Sequence, residues 1–138
     1  MASRLVTADT SVVVPFLAEW HDAHELVVGW MDGVNVLPAH VMYETVATTS
    51  RLPGGLALDP GAVVTWLRSH FTDRPLTLGA ADVWLPLEAV MTGRLNGGQV
   101  YDAIIAATTK VSKAKLLSLD RRAERTYRAI GVDYELLA

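Results

Sequence analysis

Val100-Tyr101-Asp102-Ala103-Ile104-Ile105-Ala106-Ala107, followed closely by Leu116-Leu117-Ser118-Leu119-Asp120, is the stretch on which the fold turns. Its first part carries Ile104, Ile105, Ala107 and Thr108 along one stripe and reads as a helix from Val100 to Ser112. Its second part is a short apolar run and reads as a strand ending at Asp120. The same alternation runs through the chain. Leu5-Val6-Thr7-Ala8 reads as a buried strand ending at Asp9, and Val34–Leu37, stopped by Pro38, as another. Leu76–Leu78 and Val132–Leu137 read as two more. Thr10 or Ser11 could cap a helix carrying Val12, Val13, Phe16 and Leu17, with Pro15 expected in its first turn. Further helices are expected over His21–Met31, over Ala39–Ser50, and from an Asp59 cap to His70. Others are expected over Ala81–Leu95, interrupted by Pro86, and over Arg121–Ile130, ended by Gly131. Strands alternating with helices give an α/β fold, a parallel sheet with helices on both faces.

The 138 residues fit one domain, and 51% hydrophobic content supplies a sizeable core with apolar surface left for a partner. No cysteine is present, which excludes a disulfide framework and a thiolate zinc site. Met1-Ala2-Ser3-Arg4-Leu5-Val6 has one basic residue and no long apolar core or cleavage signal, so a cytoplasmic protein is expected. No apolar run approaches the roughly 20 residues a bilayer crossing needs. The net charge of −3 argues against wholesale coating of nucleic acid, but the sign is uneven. Residues 1–109 hold 5 Lys/Arg against 11 Asp/Glu, whereas 110–128 hold seven basic residues against Asp120 and Glu124. A basic segment beside an acidic cluster suits a phosphodiester enzyme; a solvated helix face is the plainer alternative.

Four acids stand out. In an open α/β sheet the site lies beyond the carboxyl ends of the strands, where Asp9 and Asp120 fall. Glu44 sits within the largely apolar His40–Ala47, and Asp102 is expected in the first turn of the most apolar helix. An acid among apolar neighbours must be paired, hydrogen-bonded or bound to a cation. Capping would account for Asp9 or Asp120, and the helix dipole for Asp102, but a mid-helix Glu44 has no such task.

Ala8-Asp9-Thr10-Ser11, Glu44 with Arg51-Leu52-Pro53, Tyr101–Thr108 and Leu117-Ser118-Leu119-Asp120-Arg121 together resemble the four acidic motifs of the PIN-domain family. More narrowly, they resemble the VapC-type toxins of toxin–antitoxin pairs. Ser118 stands where that family often has threonine. The resemblance implies a single domain over 1–138, a three-layer α/β/α sandwich around a mostly parallel sheet of four to five strands. It implies a Mg²⁺- or Mn²⁺-dependent endoribonuclease acting on structured RNA, a transfer or ribosomal RNA loop, and leaving a 5′-phosphate and a 3′-hydroxyl. Asp9 and Asp102 would be the main metal ligands, with Glu44 and Asp120 completing the set. Ser11 and Ser118 would orient carboxylates, and Arg51, Arg121, Arg122 and Arg125 would grip RNA phosphates. It further implies a homodimer, through helices near Val83–Met91 or Val27–Met31, and a VapB-like antitoxin burying the groove near the site, in a heterotetramer or larger assembly.

Rival readings are a catalytically idle PIN domain acting as a binding module, and a nuclease of the same fold acting on DNA. A receiver-like signalling domain fails, because Asp9 lacks an acidic neighbour and residues 50–58 hold no acid. His21, Asp22, His24 and Glu25 are close enough in sequence to chelate, but read as a solvent-facing patch. The four tryptophans read as core or interface residues, and Leu52-Pro53-Gly54-Gly55-Leu56 lacks the lysine of a phosphate-binding loop.

Overall fold

Three parallel strands form the centre: β1 (Val6–Ala8), β2 (Lys115–Ser118) and β3 (Tyr134–Leu136), in the order β1-β2-β3. The computed structural model describes residues 4–138; Met1–Ser3, read above for a leader, lie outside the described residues. Thr7 pairs in register with Leu116, and Leu117 with Glu135. Leu116 and Leu117 are fully buried, as a strand covered on both faces requires. Among the described residues seven helices flank the sheet: α1 (Thr10–Leu17), α2 (His24–Trp30), α3 (Ala39–Ser50), α4 (Pro60–His70), α5 (Trp84–Gly93), α6 (Gly98–Val111) and α7 (Glu124–Ile130). Both α1 and α6 pack on β2. Helices α1 to α4 lie against one another, α5 to α7 do likewise, and the two groups meet where α3 touches α6. The main core joins Val12, Val13, Val41, Leu67, Ile105, Leu116, Leu117 and Tyr127, with a smaller one of Ala89, Leu95 and Ala103 beneath α5.

The expected four to five strands reduce to three among the described residues. Val34–Leu37 meets β1 through a side chain, the Thr7 hydroxyl donating to the Val36 carbonyl at 2.9 Å, rather than through a backbone ladder. Leu76 N–H donates to the Leu37 carbonyl (3.0 Å) and Ala39 N–H to the Leu76 carbonyl (2.9 Å), which makes one isolated parallel bridge between Pro38 and Leu76. Ala39 already begins α3, so the next main-chain groups turn into the helix and the pairing stops there. Thr7→Val keeps the shape of this buried residue but strips the donor from the Val36 carbonyl. It is expected to lower stability by about 1 kcal/mol and the melting midpoint by about 3 °C. An unchanged midpoint would mean that this hydrogen bond contributes nothing net.

The two prolines sit differently from expectation. Pro86 falls at the third residue of α5, where no helical N–H is required, because a 3-10 turn at Ala80–Asp82 precedes a later helix start. Pro15 is the sixth residue of α1 rather than in its first turn, tolerated in a helix only 8 residues long. Of the two faces expected to be left for partners, that on α5 is exposed, with Trp84 66% and Met91 74% accessible. The other is only half right: Val27 and Met31 point into the core, leaving Leu26, Val28 and Trp30 outside. No helix of the described residues is long and apolar enough to cross a membrane.

Candidate active site

Asp9 is delivered by the sheet and then claimed by two hydroxyls. Its N–H donates to the Leu117 carbonyl (3.0 Å), and its own carbonyl accepts from Val12 and Val13 to start α1. The carboxylate, only 3% exposed, does not cap that helix. It accepts the Ser11 hydroxyl on Oδ1 and the Tyr127 hydroxyl on Oδ2, the latter at 2.6 Å. Burial pushes the Asp9 carboxyl up, the hydroxyls of Ser11, Ser118 and Tyr127 pull it back down, and Asp120 raises it further. Ser11 Oγ also accepts the Leu119 N–H at 2.8 Å, and Ser118 Oγ accepts the Asp120 N–H at 3.0 Å. The two serines thereby couple the carboxyl end of β2 to Asp9.

Asp102 projects from α6, which begins two residues earlier than expected, at Gly98. It is therefore the fifth helical residue and has no first-turn dipole task. Among the described residues no side-chain hydrogen bond engages its carboxylate. Burial lifts its carboxyl to about 7, followed by the charges of Asp120, Asp9 and Glu44, with Arg122 opposing. That one group feels all three of the others. Four acids from four separate stretches are gathered within electrostatic reach.

The remaining two carboxylates have protein partners. Glu44 Oε1 accepts the Thr10 hydroxyl at 3.0 Å and lies 3.7 Å from His40 Nε2. Asp120 Oδ1 accepts the Arg122 N–H at 3.0 Å and lies 3.6 Å from the Arg122 guanidinium, so the capping role foreseen for Asp120 is present as well. Among the described residues no three His, Asp or Glu side chains stand close enough to hold a metal ion as they are. His21 and His24 are engaged locally, with the Ala23 N–H and the Pro15 carbonyl respectively.

The four arginines divide. Arg121 donates to the main-chain oxygen of Ala138 (3.1 Å) and Arg125 to that of Gly93 (2.7 Å). Arg122 has a side chain 96% exposed beside Asp120, and Arg51 is exposed just past the end of α3. Tyr127 and His40 did not stand out in sequence; Thr10 did so only as a helix cap, a position that Asp9 takes, and Tyr101 only within its motif. Tyr127 carried one usable signal: Ala123, Tyr127 and Ile130 recur at helical spacing, so its ring must face inward and its hydroxyl must find a partner there.

The chain matches the PIN-domain family over residues 6–129. It is 34% identical over 134 residues to ribonuclease VapC40 of Mycobacterium tuberculosis, covering 96% of this chain and 99% of that protein. Ribonuclease VapC27 of the same species is 34% identical over 128 residues, 92% of this chain and 93% of the relative. Among solved structures, FitAB bound to a DNA fragment superposes with a TM-score of 0.69 at 19% identity, covering 96% of this chain and 94% of that one. FitAcB from Neisseria gonorrhoeae gives 0.68 at 20% identity, covering 96% and 97%.

Proposed function

We propose that this chain, which belongs to the PIN-domain family and within it to the VapC-type ribonucleases, is a divalent-metal-dependent endoribonuclease acting as the toxin of a toxin–antitoxin pair. The observation that carries the reading is Asp102, a carboxylate with no hydrogen-bond partner among the described residues, pressed upon by Asp9, Glu44 and Asp120. An isolated structural acid has no reason to sit among three others. The donor set fits a hard cation: only carboxylate oxygens, with no cysteine in the chain. Asp9 and Asp102 would hold it. Glu44 and Asp120, with side chains only partly exposed at 33% and 31%, would complete the set by turning from Thr10 and Arg122. Bound there, Mg²⁺ or Mn²⁺ supplies positive charge for phosphate oxygens and acidity for a water.

The protein's own part is positional. Ser11 and Tyr127 fix both oxygens of Asp9 in one orientation, so the carboxylate is aimed before any substrate arrives. Arg122, exposed at the rim, can grip a phosphate, as can Arg51. The substrate is RNA, in line with the names of both relatives. An antitoxin and a second copy of the chain are the expected partners, the latter on the apolar face of α5.

The test is incubation of total cellular RNA with purified protein and Mg²⁺, Mn²⁺ or EDTA, with mapping of the fragment ends. Discrete fragments that require metal support the reading; no cleavage by folded, antitoxin-free protein favours an idle binding module. A duplex-DNA substrate cut in preference to RNA would move the chain to the other rival.

Tyr127→Phe keeps the buried ring and removes only its hydroxyl. It is expected to weaken Mn²⁺ binding about tenfold and to lower cleavage to match. Titration calorimetry of the metal alone checks this. Unchanged affinity would mean that Ser11 suffices to orient Asp9.

A further inference from the structure

We infer that the outer face of the Tyr101 ring is a stacking seat for an unpaired nucleobase of the RNA next to the scissile phosphate, an inference that rests on the ribonuclease reading above. Tyr101 immediately precedes Asp102 on α6, and His40 lies one turn before Glu44 on α3. The two rings stack across the junction of these helices, centroids 5.2 Å apart and planes at 17°. His40 is the covered member, its side chain 24% exposed and its Nε2 facing Glu44 at 3.7 Å. Tyr101 is the open one at 51%. One ring face is thus held in place by His40 while the other looks into solvent at the lip of the acidic cluster. A ring already fixed by stacking loses little freedom when a base settles on it.

Electrostatics gives this seat its purpose. RNA approaching Asp9, Glu44, Asp102 and Asp120 is repelled along its backbone, and the protein as a whole carries −3. Arg121 and Arg125, two of the basic residues beside the site, are bound to the carbonyls of Ala138 and Gly93. Arg122 and Arg51 are left to hold phosphates, and a contact that is not ionic adds to their grip without competing with the acids. Base-on-aromatic stacking is such a contact, and it selects single-stranded over paired RNA because only an unpaired base presents a free face. Tyr43, also exposed, lies with Met42, Val46 and Leu67 along the groove between α3 and α4 and offers no equivalent stack.

The experiment compares a short oligoadenylate with an abasic ribose-phosphate oligomer of equal length and charge. Binding is measured to the full chain carrying Asp9→Asn, so that nothing is cut. The parent and its Tyr101→Phe derivative are expected to prefer the oligomer with bases by about tenfold, and Tyr101→Leu to bind both alike. In the cleavage-competent protein, Tyr101→Leu is expected to raise KM for RNA about tenfold with kcat within about twofold, and Tyr101→Phe to restore it. Because the side chain is half exposed, melting midpoints of all three should agree. Discrimination that survives in Tyr101→Leu, or that is absent in the parent, overturns the seat while leaving the ribonuclease intact. Wild-type protein that cleaves no RNA overturns both.

Discussion

Asp9→Asn is expected to slow RNA cleavage by on the order of a thousandfold while leaving the protein folded. The substitution replaces an anion with a neutral amide of the same shape. Only one of its two former oxygens remains an acceptor, so the hardest donor in the cluster is lost. The fold has little reason to suffer. The Ser11 hydroxyl can still donate to the amide oxygen, and the Tyr127 hydroxyl, at 2.6 Å from Oδ2, can turn and accept from the amide nitrogen. Burial already disfavours the charge on this group, so removing it relieves a cost rather than creating one. Single-turnover cleavage with Mg²⁺ or Mn²⁺ would measure the loss. Expression without an antitoxin offers a cellular counterpart: growth arrest with the wild type and growth with Asp9→Asn. Equal cleavage by both proteins would mean a contaminating nuclease or a misplaced site.

That Asp9 could be picked out at all reflects how strongly strand ends constrain the chain. A short apolar run followed by an acid, as at Ala8-Asp9 and Leu119-Asp120, leaves the acid beyond the sheet whatever the rest of the fold does. Glu44 and Asp102 were legible because apolar neighbours made each conspicuous. The outer strands were not, since Val34–Leu37 and Leu76–Leu78 have strand composition but meet only where α3 begins, with a threonine hydroxyl in place of a ladder to β1. Composition reports burial; it does not report which backbone groups are free to pair. The arginines divide for a related reason. Arg121, Arg122 and Arg125 look equivalent in sequence, but two of them end on the carbonyls of Ala138 and Gly93, residues 17 and 32 positions away. Tyr127 reaches Asp9 across 118 residues, a contact that no local pattern encodes.

Asp102→Asn should stabilise the metal-free protein, and the gain should grow with pH. The folded chain raises the Asp102 carboxyl from its ordinary 3.8 to about 7, burial first and the three neighbouring acids after it. Between those values the folded state holds a proton that the unfolded chain has released, so stability falls as pH rises through this window and the loss is complete above it. Asparagine carries no such penalty. Each pH unit separating the two values is worth about 1.4 kcal/mol. Solvent screening of a carboxyl only partly buried brings the gain at pH 8 down to about 2 kcal/mol, or about 6 °C in the melting midpoint. Near pH 4 the two proteins should melt together. A saturating divalent ion should reverse the order, because it binds the wild-type cluster and not the weakened one, and stabilises only what it binds. Thermal melts from pH 4 to 8, with EDTA and then with Mn²⁺, would show both effects. A gap that ignores pH would remove Asp102 from the electrostatic cluster; a gap that follows pH but ignores metal would leave the acids gathered for some purpose other than holding a cation.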